Sequence, residues 1–296
     1  MPRLLAVLLA GLVACGQPGA SDGDRPAAVA TVYPLAWLVE EIAPGIQVSS
    51  LAAGGQDPHD LELSPAQRAE VERASLVVYL GDIGFQPQIE SAVASAQGEV
   101  VAAVEVIGDD ALLRDDHEDE IDPHLWFDAT LLADVAVAVG DAAAESDQAR
   151  GQEYRANAEK VAGELRTLAQ DVDRLLADCA HDQVIVGHEA FAYLLAPHGL
   201  EQHGISGAGG HSEASPQDIG DLSAEVRAEG LPAVLSERAE GRADADAVAR
   251  EAGVDVIEVS SLDIVSQEQA EKGFPALLLE QAEAVATAAE CGGGTR

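Results

Sequence analysis

Three histidines in this chain stand in comparable settings. His59 lies in Asp57-Pro58-His59-Asp60, His124 in Asp122-Pro123-His124-Leu125-Trp126-Phe127-Asp128, and His188 in Val186-Gly187-His188-Glu189. Proline fixes its own backbone and biases the preceding residue toward an extended conformation, so His124 is presented from a constrained turn directly before a helical run. Neutral imidazole is a good ligand for zinc, and three imidazoles plus one carboxylate fill a tetrahedron. Asp263, in Ser261-Leu262-Asp263-Ile264, is the candidate carboxylate. A lone histidine is more often a satisfied or surface residue, and His117, His181, His198, His203 and His211 are left out of the set on that ground. Intervals of 65, 64 and 75 residues separate His59, His124, His188 and Asp263, which requires a tertiary site rather than a local knuckle. Asp122, Asp128 and Glu237 are candidates to accept hydrogen bonds from ligand N–H groups and so fix the tautomer. Helix capping or solvation is the equal alternative for these three.

The elements that must position these residues follow from the pattern of the chain. Strands are expected at 27–32, 46–51, 76–80 and 100–107, with helices at 35–42, from Ser64-Pro65 onward, and at 89–96. Ser64 serves as N-cap and Pro65 as first helical residue. An acidic loop, 109–122, follows. The second half repeats the rhythm, with strands at 183–186, 200–204, 233–236 and 254–259, and helices at 190–195, 216–227, 243–251 and 273–290. Strands alternating with helices imply α/β architecture: two mostly parallel four-stranded sheets covered by helices. Each candidate ligand follows a strand. In such sheets the loops beyond the carboxyl ends build the binding crevice, so two facing edges would collect His59 and His124 from one lobe and His188 and Asp263 from the other.

Between the halves, residues 148–180 contain no proline. Apolar residues at Tyr154, Ala158, Val161, Leu165, Leu168, Val172 and Leu175 form one seam along a helix of roughly 45 Å. A 3.5-residue period is also that of a coiled-coil dimer. A single, alanine-diluted seam between two α/β units favours a rigid helix packed along both, and a monomer.

Residues 1–14 have a positive Arg3, an apolar run and the cleavage box Leu12-Val13-Ala14-Cys15, the layout of a lipoprotein signal peptide. Cys15 is the expected lipidated residue and 15–26 a flexible tether. An ordinary signal peptide with an incidental cysteine is the alternative. The domain plan is then a lobe at 27–147, a connecting helix at 148–180 and a lobe at 181–296. Without Arg3, 15 basic residues face 53 acidic ones, a net charge of about −38. That field repels nucleic acid and anionic substrates, which excludes a nucleic-acid partner, and draws cations at low ionic strength. Serving solubility alone is an equal account of it. Cys179 and Cys291 are the remaining cysteines, either paired in a disulfide, which an oxidising compartment allows, or two free thiols.

Tyr33-Pro34 and residues 55–62 (GQDPHDLE), 122–128 (DPHLWFD) and 188–200 (HEAFAYLLAPHGL) resemble the substrate-binding proteins of zinc and manganese ABC importers, the TroA-like, cluster A-I group. The resemblance runs from about Ala27 to the C-terminus. It implies two α/β lobes, a rigid connecting helix and a metal held at the lobe interface. By motif position His59, His124 and His188 are ligands; Asp263 matches a late carboxylate that coordinates in some members and yields to water in others. The chain departs from the group in a short acidic stretch, 113–122, holding only His117, in place of a His-rich loop. It also has Glu189, His198 and Ala129 where aspartate, tyrosine and proline are common. Manganese-type members usually carry glutamate at the position of His188, so Zn²⁺ is the expected cargo and Mn²⁺ the alternative.

These features describe an extracytoplasmic, membrane-anchored protein that captures Zn²⁺ and delivers it to an ABC permease. A metal-dependent adhesin or sequestering protein fits the same scaffold. A zinc hydrolase is the rival from another class, but no HExxH helix is present, and a fourth protein ligand would close the position that catalysis needs. The expected protein is not an enzyme.

Overall fold

The computed structural model describes residues 27–51, 61–114, 120–206, 214–237 and 242–292. The expected leader, Cys15, the tether, His59, His117 and His211 lie outside these residues. The first half runs β1 (Ala27–Ala30), α1 (Tyr33–Ile42), β2 (Gln47–Ser50), α2 (Pro65–Arg73), β3 (Leu76–Tyr79), α3 (Pro87–Val93), β4 (Glu99–Ala102), α4 (Ala103–Ile107) and α5 (Ala129–Ser146). Helix α6 (Gly151–Leu175) follows. The second half runs β5 (Gln183–His188), α7 (Ala192–Leu195), β6 (Glu201–Ser206), α8 (Pro216–Glu229), β7 (Ala233–Glu237), α9 (Arg242–Ala252), β8 (Asp255–Val259), α10 (Gln267–Ala270) and α11 (Phe274–Ala288).

The strands form two parallel four-stranded sheets, ordered β2-β1-β3-β4 and β6-β5-β7-β8. Central strands β3 and β7 are buried along their whole length, as sheets covered on both faces require, while edge strands β2 and β8 are partly exposed. Serines cap two of the helices that open with proline: Ser64 and Ser215 each form a reciprocal capping box, with Gln67 and Asp218. The shared strand order puts a topological switch point between β1 and β3 in one sheet and between β5 and β7 in the other. In open α/β sheets that is where ligands bind.

The strand expected at 100–107 stops at Ala102, and Ala103–Ile107 is helical. Among the described residues its only strand partner, β3, ends at Tyr79 opposite Ala102 and offers no ladder to the residues beyond. Instead the Val104 N–H donates to Leu80 O, and Gly108, at φ 81°, ends the turn. The β-branched run Val104, Val106, Ile107 carried the wrong signal, and Val106 is exposed.

Helix α6 is shorter than 148–180; its 25 residues span about 37 Å. The seam residues Tyr154, Ala158, Val161, Leu165, Leu168 and Val172 are all buried within the chain. They pack against α1 and α5 from the first half and α11 from the second. One apolar core runs continuously through both halves and α6. At the far end of α6, Cys179 and Cys291 are joined by a disulfide that ties its exit to the end of α11.

Candidate metal centre

The local sequence builds the setting of His124. Asp122 N–H is tied to Leu113 O, and Arg114 and Ile121 form an antiparallel bridge that pinches the acidic loop. Asp122 Oδ1 then accepts the His124 backbone N–H at 2.9 Å, the aspartate-turn bond that an Asp-Pro-X segment favours. The same oxygen holds His124 Nδ1 at 2.8 Å. Trp126, fully buried, packs edge-on to the imidazole at 5.3 Å between centroids.

His188 is the last residue of β5, and Glu237 the last of the neighbouring β7, so both stand at the switch point of the second sheet. Glu237 Oε2 holds His188 Nδ1 at 3.2 Å, and its Oε1 accepts the Ser261 N–H. Burial works against the Glu237 carboxylate, but the His188 bond and charge, with the Ser261 bonds, outweigh it and hold its pKa below the ordinary value. Glu189 points away and accepts the Gly204 N–H at 2.9 Å; a side chain on Gly204 would collide with it.

The two imidazoles meet across the halves, with centroids 5.1 Å apart and planes at 73°. Both present Nδ1 to a carboxylate. Where that nitrogen carries the hydrogen, the lone pair lies on Nε2.

Asp263 comes from the loop after β8. Its Oδ1 accepts from the Ser261 hydroxyl and from the Ile264 N–H, each at 2.7 Å. Burial pushes its carboxyl up, and the Glu237 charge adds to this, against the pull of Ser261, His124 and the Ile264 N–H. The loop is clasped to the first half twice: Trp126 Nε1 donates to Ser261 O at 2.7 Å, and Tyr33 N–H to Asp263 O at 2.8 Å. Between the two carbonyls Leu262, fully buried, adopts φ 62°. A left-handed leucine costs roughly 1–3 kcal/mol and persists only where its surroundings over-determine it. Burial and the two clasping bonds supply that here.

Among the described residues, the buried charged side chains are Asp122, His124, His188, Glu237 and Asp263, and all five belong to this cluster. Three carboxylates and two imidazoles share a desolvated site with no buried lysine or arginine. Buried charges are paired or coordinate metals, and this donor set fits a divalent cation. The described residues hold only part of a coordination shell; no group of three or more of their His, Cys, Asp and Glu side chains could hold an ion alone. The fourth sequence-derived ligand, His59, lies outside them.

Asp128 differs from the other two proposed acceptors. Its Oδ1 takes the Thr130 and Leu131 N–H groups at 2.7 and 3.2 Å, so its role is to cap the N-terminus of α5. Nothing in their residue types marks Ser261 and Trp126 as supports of the site. Their one visible signal is position, each two residues from a candidate ligand.

A family model described as ZnuA, zinc-uptake complex component A, periplasmic, matches residues 28–288. A putative metal-binding protein of Chlamydia trachomatis is 28% identical over 249 residues, covering 84% of this chain and 89% of the relative. The crystal structure of ZnuA aligns with a TM-score of 0.77 at 26% identity, over 90% of this chain and 99% of that one. The periplasmic zinc-binding protein TroA of Treponema pallidum gives a TM-score of 0.80 at 23% identity, over 89% and 99%, a likeness of fold.

Proposed function

Since the chain belongs to the zinc-uptake complex component A periplasmic family, we propose that it captures Zn²⁺ outside the cytoplasm and hands it to an ABC permease. The ion is held between the halves by His59, His124 and His188, with Asp263 or water completing the shell. The observation that carries this reading is the pair of facing buried imidazoles, each with Nδ1 on a carboxylate, at the only group of buried charges among the described residues. Imidazole-rich donors favour zinc over manganese, which prefers oxygen. Where Asp263 is the fourth ligand no position stays open for activated water, so the site binds rather than catalyses. Among the described residues no helix is long and apolar enough to cross a membrane. Anchoring is assigned to Cys15, lipidated after removal of residues 1–14; fatty-acid labelling that persists in Cys15→Ala refutes that part.

The test of capture is metal analysis of dialysed protein with competition against a chromogenic chelator. One Zn²⁺ per chain is expected. Alanine at His59, His124 or His188 should weaken binding by more than the ~10–100-fold typical of losing a residue that merely supports a ligand. Wild-type stoichiometry and affinity in any of the three variants removes that histidine from the site.

A further inference from the structure

Ser261 has three polar groups, and the site uses all of them. Its N–H donates to Glu237 Oε1, its carbonyl accepts from Trp126 Nε1, and its hydroxyl donates to Asp263 Oδ1. The residue is buried, 7% exposed, and its backbone is pinned on both sides, so the hydroxyl reaches Asp263 from a fixed place. Asp263 Oδ1 receives the Ile264 N–H as well. A carboxylate has about four lone-pair sites over its two oxygens. Two donors therefore fill Oδ1, and Oδ2 is the oxygen left to give to an ion. Both oxygens of Glu237 are already engaged by one donor each, His188 Nδ1 and the Ser261 N–H.

We propose that Ser261 sets the metal preference of the site: by saturating Oδ1 it confines Asp263 to one-oxygen coordination. Zinc in a four-coordinate shell needs one oxygen. Manganese takes larger, oxygen-rich shells, and hard cations in such shells draw on both oxygens of a carboxylate. A carboxylate with one oxygen tied down suits the first and handicaps the second. Ser261 is thus a positioning residue that acts through Asp263. The inference rests on the zinc-capture reading above and assigns its selectivity.

The experiment measures Zn²⁺ and Mn²⁺ dissociation constants by chelator competition for the wild type, Ser261→Ala, Asp263→Ala and the double variant. Ser261→Ala should weaken zinc roughly tenfold, the lower end of the effect of losing a ligand-supporting bond, and leave manganese unchanged or tighter. The Mn²⁺/Zn²⁺ ratio then narrows by about that factor. A misfolded fraction lowers stoichiometry but not the ratio of the two constants, so partial unfolding cannot imitate the result. In the Asp263→Ala background, Ser261→Ala should move the ratio no further. Equal weakening of both metals by Ser261→Ala, or further narrowing in the double variant, overturns the inference. Wild-type constants for both metals in Asp263→Ala likewise overturn it, since water then completes the shell, whereas failure of the underlying reading looks different: the wild type then takes up no zinc.

Discussion

Glu237→Gln and Asp122→Asn make one chemical change, carboxylate to amide, beside two buried imidazoles, yet their consequences should differ. Glu237 divides its bonds between two oxygens, Oε2 to His188 Nδ1 and Oε1 to the Ser261 N–H. An amide offers one acceptor oxygen and one NH₂, so either seating sets a donor against a donor. If the NH₂ faces Ser261, a buried N–H is left unsatisfied at about 1–3 kcal/mol. If it faces His188, the imidazole must move its hydrogen to Nε2, the nitrogen assigned to the ion. Asp122 instead places both bonds on Oδ1, to the His124 N–H and Nδ1, and asparagine keeps that oxygen. Only charge assistance is lost, about 1 kcal/mol, or roughly fivefold in affinity. Zinc affinity should therefore fall ~10–100-fold in Glu237→Gln and less than ~10-fold in Asp122→Asn, read by chelator competition at pH 7. That pH matters because Glu237 has a depressed pKa. Its contribution is full above the ordinary carboxylate range and is lost only as pH falls through the lowered value. A loss in Asp122→Asn equal to or larger than that in Glu237→Gln would show that the imidazoles are not oriented as described.

Asp263 has the opposite sign: its raised pKa means the ionised form destabilises the metal-free fold at neutral pH, a penalty that fades as pH falls through that value. Asp263→Asn should thus raise the urea midpoint of metal-free protein at pH 7, with a smaller gain at pH 5, while weakening zinc; a lower midpoint at pH 7 refutes this. Because imidazole must be neutral to bind a metal, zinc affinity should drop as pH falls through the free histidine range near ~6.5, and a flat profile from pH 8 to 5 would exclude histidine ligands. Replacing Cys179 and Cys291 by serine opens a crosslink spanning 112 residues, which the chain-entropy relation values at about 5 kcal/mol. Zinc affinity should hold, since the disulfide borders the Gln183 end of β5, roughly 17 Å from His188 along the strand; a Cys→Ser pair that loses zinc but not stability inverts the expectation. With α6 packed on both halves and Trp37 against Phe274 at 5.5 Å, metal-free and zinc-loaded protein should share one radius of gyration, and clear compaction in small-angle scattering counts against a rigid brace.

Features that depend on a few neighbouring residues were readable without coordinates. The α6 seam was one, because a stripe at helical spacing must be buried somewhere, and a single stripe leaves one face for both halves. Ser64-Pro65 announced its helix through capping chemistry alone. Asp122-Pro123-His124 was another, since an aspartate two residues before a histidine can hold both its backbone and its ring. The end of β4 was not readable. Residues 103–107 have strand composition, and what stops them is the length of β3, a property of a distant segment.

The acceptors at the site divide along the same line. Asp122 lies beside its histidine in sequence, whereas Glu237 reaches His188 across 49 residues because β5 and β7 are sheet neighbours, a pairing fixed by crossover topology. Asp128, with equal claims by composition, caps a helix instead, because the N–H groups of Thr130 and Leu131 need an acceptor and it is the nearest. Ser261 is the far limit of this series. Its type is ordinary, and its importance comes from which oxygen of Asp263 it fills and from a left-handed Leu262 held by Trp126 and Tyr33 of the other half. Ligand identity can thus be encoded by residue type and local motif, while the number of oxygens a ligand can offer is set by the hydrogen bonds it receives, here from Ser261 and Ile264 in a loop that the other half holds in place. On the reading proposed above, selectivity between zinc and manganese draws on both, through His188 in place of glutamate and through the oxygen of Asp263 that Ser261 fills, so substitutions of Ser261, and not of the histidines alone, are needed to probe it.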